Sequence, residues 1–356
     1  DEGAWALLGK KNQYLREAHT RYVRPIVFNR YERPHDNFDS HTYPKGACIL
    51  HQLRFILGDE LFFRALSRFL HEHAFEPVDT HDLMKTIKDV TGRNMDWFFE
   101  QFIFKPGHPV FEVSSDWDAD AGEIRLHVAQ VQDRDHGVPI YRVPVQIGIV
   151  TASGKRVETV WLEHGQDSFV FPSRERPLLV RFDEGNWLLK EWSYEKSQEE
   201  LLYQAGHDDV IGREWAVREL ARFASDPRVA HEVAEIARSD PFWAVRLAAL
   251  ETIAAVDLQE SIELFRAATT DVSSRVRRTA IRILGELDDP AFVPFFHERF
   301  ADDDSYQVQA EALRAIGRTG DVSQLGFLQQ ASEMPSPRDV IRRAAEWAIE
   351  QISERR

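Results

Sequence analysis

His41-Thr42-Tyr43-Pro44-Lys45-Gly46-Ala47-Cys48-Ile49-Leu50-His51-Gln52-Leu53-Arg54 reads as a polar turn that runs directly into an amphipathic helix. From Lys45 to Leu57 the apolar residues Ala47, Ile49, Leu50, Leu53, Ile56 and Leu57 recur close to a 3.6-residue period, which predicts a helix with one buried face. Gly58 ends it, as a residue suited to a left-handed cap. Tyr43 stands just before the helix entry. Gly46 has no Cβ and leaves room there for another stretch of backbone to come close. Cys48 falls on the apolar side and reads as core rather than as a nucleophile.

Stripe and stop continue downstream. Asp59 is placed to cap a helix buried through Leu61, Phe62, Ala65, Leu66, Phe69 and Leu70. Thr80 opens a third helix, with Leu83, Met84, Ile87 and Val90 inward and Thr91-Gly92 at its end. Asp96 opens a fourth, packed with Trp97, Phe98, Phe99, Phe102 and Phe104, and Pro106-Gly107-His108-Pro109 breaks it. From Val110 the period falls to two. Val110, Phe111, Val113, then Ile124, Leu126, Val128, then Tyr141, Val143, Val145, Ile147, Ile149 alternate with polar residues, and Leu178 to Phe182 makes a further strand. Ser153-Gly154-Lys155 is a turn between two such runs. Short strands at regular spacing predict a small antiparallel β-sandwich.

The last region repeats. Val245-Arg246-Leu247-Ala248-Ala249-Leu250 recurs as Val276-Arg277-Arg278-Thr279-Ala280-Ile281, as Val308-Gln309-Ala310-Glu311-Ala312-Leu313, and weakly from Ile341, in steps of 31, 32 and 33 residues. A fainter copy lies around Trp215-Ala216-Val217-Arg218. Asp-Pro pairs at Asp226, Asp240 and Asp289 punctuate the units. A helix pair of this length cannot bury its apolar face alone, so neighbours must stack. The small Ala positions let paired helices approach, and the recurring Arg is placed to bond an Asp of the adjacent unit. The array resembles a HEAT-type α-solenoid.

At 356 residues the chain is too long for one ordinary core. The expected division is a helical part over 1–109, a β-sandwich over 110–192 and a HEAT-like domain over 197–356. Hydrophobic content of 43% indicates a folded chain. A net charge of −15 argues against nucleic acid as a partner and suits attraction of an amino-terminal ammonium group. Cys48 is the only cysteine, so neither an intrachain disulfide nor a cysteine zinc site can form. That fits the cytoplasm and equally a disulfide-free periplasmic protein. No apolar run of about 18 residues is present, so no membrane span is expected. No signal-peptide pattern opens the sequence, and further residues are expected upstream of Asp1.

Several segments taken in order carry a resemblance over roughly residues 10 to 192. They are Phe38-Asp39-x-His41-x-Tyr43-Pro44-Lys45-Gly46-Ala47, Asp79-Thr80-x-Asp82-Leu83, Thr91-Gly92-Arg93, Asp96-Trp97-Phe98-Phe99-x-Gln101 and Gly107-His108-Pro109. Together they resemble the zinc aminopeptidases of the aminopeptidase N type, the gluzincins. The resemblance implies the helical C-terminal half of a thermolysin-like catalytic domain followed by the sandwich. It implies zinc as cofactor, polarising a peptide carbonyl and activating water, with a glutamate as general base. It implies that Tyr43 donates to the developing oxyanion, with Lys45 and Gly46 holding its turn. His41, two residues before Tyr43, reads equally as a cleft residue or as a turn residue. Read without the resemblance, Tyr43 is a tyrosine packing at a helix start.

The sequence departs from that family where the metal should be held. No H-E-x-x-H occurs, nor the Gly-x-Met-Glu-Asn type of strand that binds a substrate's amino terminus. Glu2, in Asp1-Glu2-Gly3-Ala4, is a weak candidate for the third zinc ligand, because it precedes Tyr43 by only 41 residues, fewer than the family spacing. His71-Glu72-His73 cannot chelate one ion from a helix, since i and i+2 face different sides, and reads as a solvated helix end. His108 reads as structural. No Gly-x-Ser-x-Gly elbow offers another catalytic centre.

Two functions remain. One is the C-terminal portion of a zinc aminopeptidase that removes N-terminal residues from peptides, inactive alone. The other is a non-catalytic, peptidase-like scaffold that binds proteins through its HEAT repeats.

Overall fold

The computed structural model describes residues 1–256 and 258–355, and it separates into two compact units, 1–200 and 201–356.

The first unit begins with α1 (Glu2–Thr20), which turns Tyr14 and Glu17 inward. A loop leads to a turn at His41–Lys45 and then to α2 (Gly46–Leu57). Pro44 explains this entry. It has no N–H to give to the carbonyl of Ser40, so that carbonyl accepts from Lys45 N at 2.9 Å, one residue further on, and the turn widens into a π-turn. Gly58 ends α2 at φ 80° and ψ 155°, a positive φ but outside the left-handed helical basin.

Asp59 is not a cap. It is the first residue of α3 (Asp59–Glu72), and its carboxylate accepts both a 2.7 Å bond from Arg54 Nε and one from Nη2. The cap appears instead at α4 (Thr80–Thr91), where Asp79 accepts from the backbone N–H of His81 and Asp82, and the Asp82 side chain answers on Asp79 N. Gly92 closes α4 in the left-handed conformation. In α5 (Asp96–Phe102) Phe98, Phe99 and Phe102 are buried.

The sandwich follows. β1 (Val110–Asp118), β2 (Glu123–Gln130), β5 (Gln166–Pro172) and β7 (Glu191–Tyr194) form one sheet in the order β5-β2-β1-β7. β3 (Val143–Thr151), β4 (Gly154–Leu162) and β6 (Leu179–Phe182) form the other in the order β4-β3-β6. The pairings are antiparallel except one: β7 returns parallel to β1, setting Phe111 beside Trp192. Phe111 meets Phe182 across the two sheets at 5.4 Å, edge to face.

β3 departs from simple alternation, with Val143 to Ile149 nearly all buried, because its outer face is covered as well. On that face a Cβ at Gly148 would fall 2.4 Å from Glu184 Oε2. The Trp187 ring stacks on His51 and Phe55 of α2. Gln101 of α5 exchanges two bonds with the backbone of Arg142, tying helices to sandwich.

The second unit starts within α6 (Gln198–His207) and continues with α7 (Val210–Glu219), α8 (Pro227–Ser239), α9 (Trp243–Val256), α10 (Ile262–Ala268), α11 (Ser274–Gly285), α12 (Val293–Asp302), α13 (Tyr306–Thr319), α14 (Leu325–Ser332) and α15 (Val340–Glu354). The small residues let α13 and α15 touch closely: a Cβ at Gly317 would lie 2.6 Å from Cα and Cβ of Ala348.

The recurring arginine makes the pairing its spacing implies. Arg246 clamps Asp271 with two 2.7 Å bonds and donates to the Asp240 carbonyl. Arg277 does the same with Asp303 and the Asp271 carbonyl. The first rung is Arg213 with Asp240, so the faint copy around Trp215 begins at Gly212-Arg213. At the fourth position Gln309 keeps only the bond to the Asp303 carbonyl. Asp226 and Asp289 have another task, capping the helical turns that follow them.

Candidate functional site

The π-turn sorts its side chains. Tyr43 points outward and is 57% exposed, while His41 and Lys45 are wholly buried beneath it. Asp39 sets the geometry. Arg24 grips its carboxylate with Nη2 at 2.6 Å and Nε at 2.9 Å, Tyr22 OH donates at 2.9 Å, and the backbone N–H groups of His41 and Thr42 donate at 3.0 Å each. Burial alone would raise the Asp39 carboxyl, but the Arg24 and Thr42 bonds outweigh it and hold it below its usual value. Glu17 of α1 accepts from Ser40 N at 2.7 Å and from Arg21 at 2.8 Å.

Of its two sequence readings, cleft residue and turn residue, His41 takes the second, wholly buried in the turn. Its ring stacks on Tyr22 at 5.2 Å and meets Tyr14 edge-on, and neither ring nitrogen has a hydrogen-bond partner among the described residues. Burial pushes its pKa down to about 4, so the ring is neutral at ordinary pH. Lys45 Nζ is likewise unpartnered, 5.5 Å from the Tyr14 ring centre, and burial pushes it down to about 7. Gly46 corrects a second expectation: a Cβ there would meet nothing within 4 Å, so no backbone approaches it. Cys48 is buried in the core of α2, as its position in the helix implies.

Tyr14 leads the site down to the sandwich. Its hydroxyl lies 3.1 Å from His108 Nδ1, His108 Nε2 lies 2.7 Å from Glu191, and Glu191 also meets His19 at 3.0 Å. Burial lowers the His108 imidazole from its usual value, and the Glu191 carboxylate, which can only accept, takes its bond from Nε2–H. The bond from His108, then that from His19, holds the Glu191 carboxyl at about 2. Sequence reading missed Tyr14, Arg24 and Glu191. Their partners lie 94, 15 and 83 residues away, beyond the reach of local spacing.

The metal candidates separate clearly. Glu2 lies exposed in the first turn of α1. Among the described residues only Glu17, Asp39 and His41 bring three ligand atoms within 4.8 Å. Both carboxylates are already engaged by Arg21, Arg24, Tyr22 and backbone N–H groups. The set does not fit zinc. His71 bonds the Ser67 carbonyl and Glu72 pairs with Arg68, a solvated helix end. On the open side, Tyr43 lies 5.7 Å from Phe38, which stacks on His35.

Comparison with known proteins agrees with this architecture. Residues 3–102 match the peptidase family M1 domain, and residues 232–307 and 263–350 match HEAT repeats. Similar proteins include tricorn protease-interacting factor F2 of Thermoplasma volcanium, 33% identical over 119 residues, and probable aminopeptidase 1 of Sulfurisphaera tokodaii, 30% over 120; each match covers 33% of this chain and 14% of the relative. Aminopeptidase N of Streptomyces lividans is 32% identical over 84 residues, 24% of this chain and 10% of that protein.

The matched stretch thus spans about a seventh of the first two relatives' length. The crystal structure of Legionella pneumophila aminopeptidase A in complex with aspartic acid shares the fold, with a TM-score of 0.69 at 14% identity, over 92% of this chain and 49% of that one. Residues 3–102 thus carry the likeness to the peptidase family M1 domain found in these aminopeptidases, and HEAT repeats follow it in the same chain.

Proposed function

We propose that residues 1–200 complete the catalytic unit of a zinc-dependent aminopeptidase that removes N-terminal residues from peptides, with Tyr43 as the oxyanion donor. The observation that carries this reading is the turn itself. Asp39, Arg24 and the buried pair His41 and Lys45 fix its underside, and it presents one exposed phenol with no partner among the described residues. A preorganised donor of that kind is worth about 3 kcal/mol where negative charge develops on a carbonyl oxygen. Zinc belongs to the family and its ligands are not among these 356 residues, so the chain alone hydrolyses no peptide. Lys45 fills the turn from inside, while nothing around Gly46 gives it a part in holding the turn.

The test is Tyr43→Phe in the intact protein. A loss of about a hundredfold or more in kcat with little change in KM supports the assignment, and turnover within about tenfold of wild type removes it.

The second reading is a peptidase-like scaffold that binds proteins through the HEAT array. It is favoured by the absence of H-E-x-x-H from the sequence. Peptidase activity with stoichiometric zinc in this chain would dismiss it.

A further inference from the structure

A groove of about 560 Å³ opens where α5 and the end of α2 meet β4. Phe55, Trp97 and Trp161 form its apolar walls, and Arg93 and Thr159 stand at its rim. The Trp97 and Trp161 rings meet edge to face at 5.6 Å, fixed by Arg142, whose guanidinium lies over both rings and is neutralised by Glu163 at 2.7 Å. Arg93 differs. Its Nη1 donates to the Ile56 carbonyl at 2.9 Å, and no carboxylate pairs with it among the described residues.

β4 is an edge strand of nine residues, so the backbone groups on its outer side lie outside the ladder. Edges of this length are usually blunted by charge. Here the charges fall in its first half, where Lys155 is bonded to Glu184. Beyond Glu158 no charge follows; Thr159 and Trp161 share one exposed face with Val157, and the two line the groove.

We propose that this edge and groove bind an extended segment of a partner polypeptide. The segment adds to β4 as a further strand, seats an apolar side chain against Trp97 and Trp161, and sets a carboxylate on Arg93. The form of the ligand follows from the site. An unpaired edge is satisfied by extended backbone, alternate side chains of a strand fall on one face, and an unpaired guanidinium beside an apolar wall selects a carboxylate. The site is independent of the peptidase reading, since none of its residues touches Tyr43 or the relay beneath it.

The test is fluorescence anisotropy on the 356-residue chain, with labelled hexapeptides that alternate valine or phenylalanine with polar residues and end in glutamate. Saturable binding with Kd below about 200 µM is expected, abolished when a central residue of the peptide is proline. Trp161→Ala should weaken it about tenfold or more. Arg93→Gln should weaken it about fivefold for the glutamate peptide and not for its glutamine counterpart.

Absence of saturation at about 1 mM overturns the proposal. So does binding that both variants leave unchanged. Sedimentation showing a dimer that Trp161→Ala dissolves would assign the edge to a second copy and also overturn it. Both substituted side chains are exposed, and circular dichroism verifies that each variant folds.

Discussion

Lys45 Nζ sits 5.5 Å from the centre of the Tyr14 ring, wholly buried and with no hydrogen-bond partner among the described residues. Burial holds its pKa near 7, against 10.5 for an ordinary lysine. Between those values the unfolded chain carries a proton that the folded chain does not, so stability rises with pH across that window. Below pH 7 both states are protonated and the penalty is constant. Lys45→Met should therefore stabilise the first unit by about 1–3 kcal/mol at pH 6 and by less at pH 10, read from urea unfolding at the two values. An unchanged pH slope in the variant would refute the buried-amine account.

Glu191 shows the opposite slope. The His108 and His19 bonds hold its carboxyl at about 2, below the ordinary 4.5. Its stabilisation is complete above pH 4.5 and fades as pH falls toward 2. Glu191→Gln should cost about 1 kcal/mol at pH 6, allowing for its partial exposure, and the difference from wild type should shrink toward pH 2. Thermal unfolding between pH 2 and 6 checks both parts.

The arginine rungs of the second unit can be dissected with nature's own replacement. Arg246→Ala strands the nearly buried Asp271 and should cost about 3 kcal/mol. Arg246→Gln copies the arrangement at Gln309, keeps a bond to the Asp240 carbonyl, and should cost about 1 kcal/mol less. Equal losses in chemical denaturation would mean that the carbonyl bond contributes nothing.

Two glycines should respond with opposite signs. Gly46 has helical dihedrals and open space around its missing Cβ, so Gly46→Ala should stabilise by about 0.5–1 kcal/mol. Gly317 lies against Ala348, so Gly317→Ala forces α13 from α15 and should destabilise by about 2 kcal/mol. Melting temperatures of the two variants suffice to compare them.

Most of the fold could be read from local pattern. Helix stripes at Leu53 and Phe98, the switch of period at Val110 and the 31- to 33-residue recurrence each record a buried face, and burial is periodic in the chain. The errors, and the reading left open at His41, fall where a residue's task depends on something distant or on fine geometry. Asp59 has the composition of a cap but is taken by Arg54. Gly46 looks permissive for contact yet faces empty space. His41 is polar and lies beside an exposed tyrosine, but its direction is set by the i→i−5 bond that Pro44 forces, and no composition rule encodes that. The relay through Tyr14, His108 and Glu191 joins three segments that no spacing connects.

The substitution at Gln309 has a consequence for how the array yields. Three interfaces rest on ion pairs between Arg213 and Asp240, Arg246 and Asp271, and Arg277 and Asp303, which weaken once acid neutralises the carboxylates. The last interface rests on the close contact of Gly317 with Ala348 and on Arg355, whose guanidinium donates to the carbonyls of Gly317 and Arg318, and acid leaves both alone. Acidification should thus loosen the array from the α7 side while the α13–α15 pair persists, giving it a grain along which it comes apart.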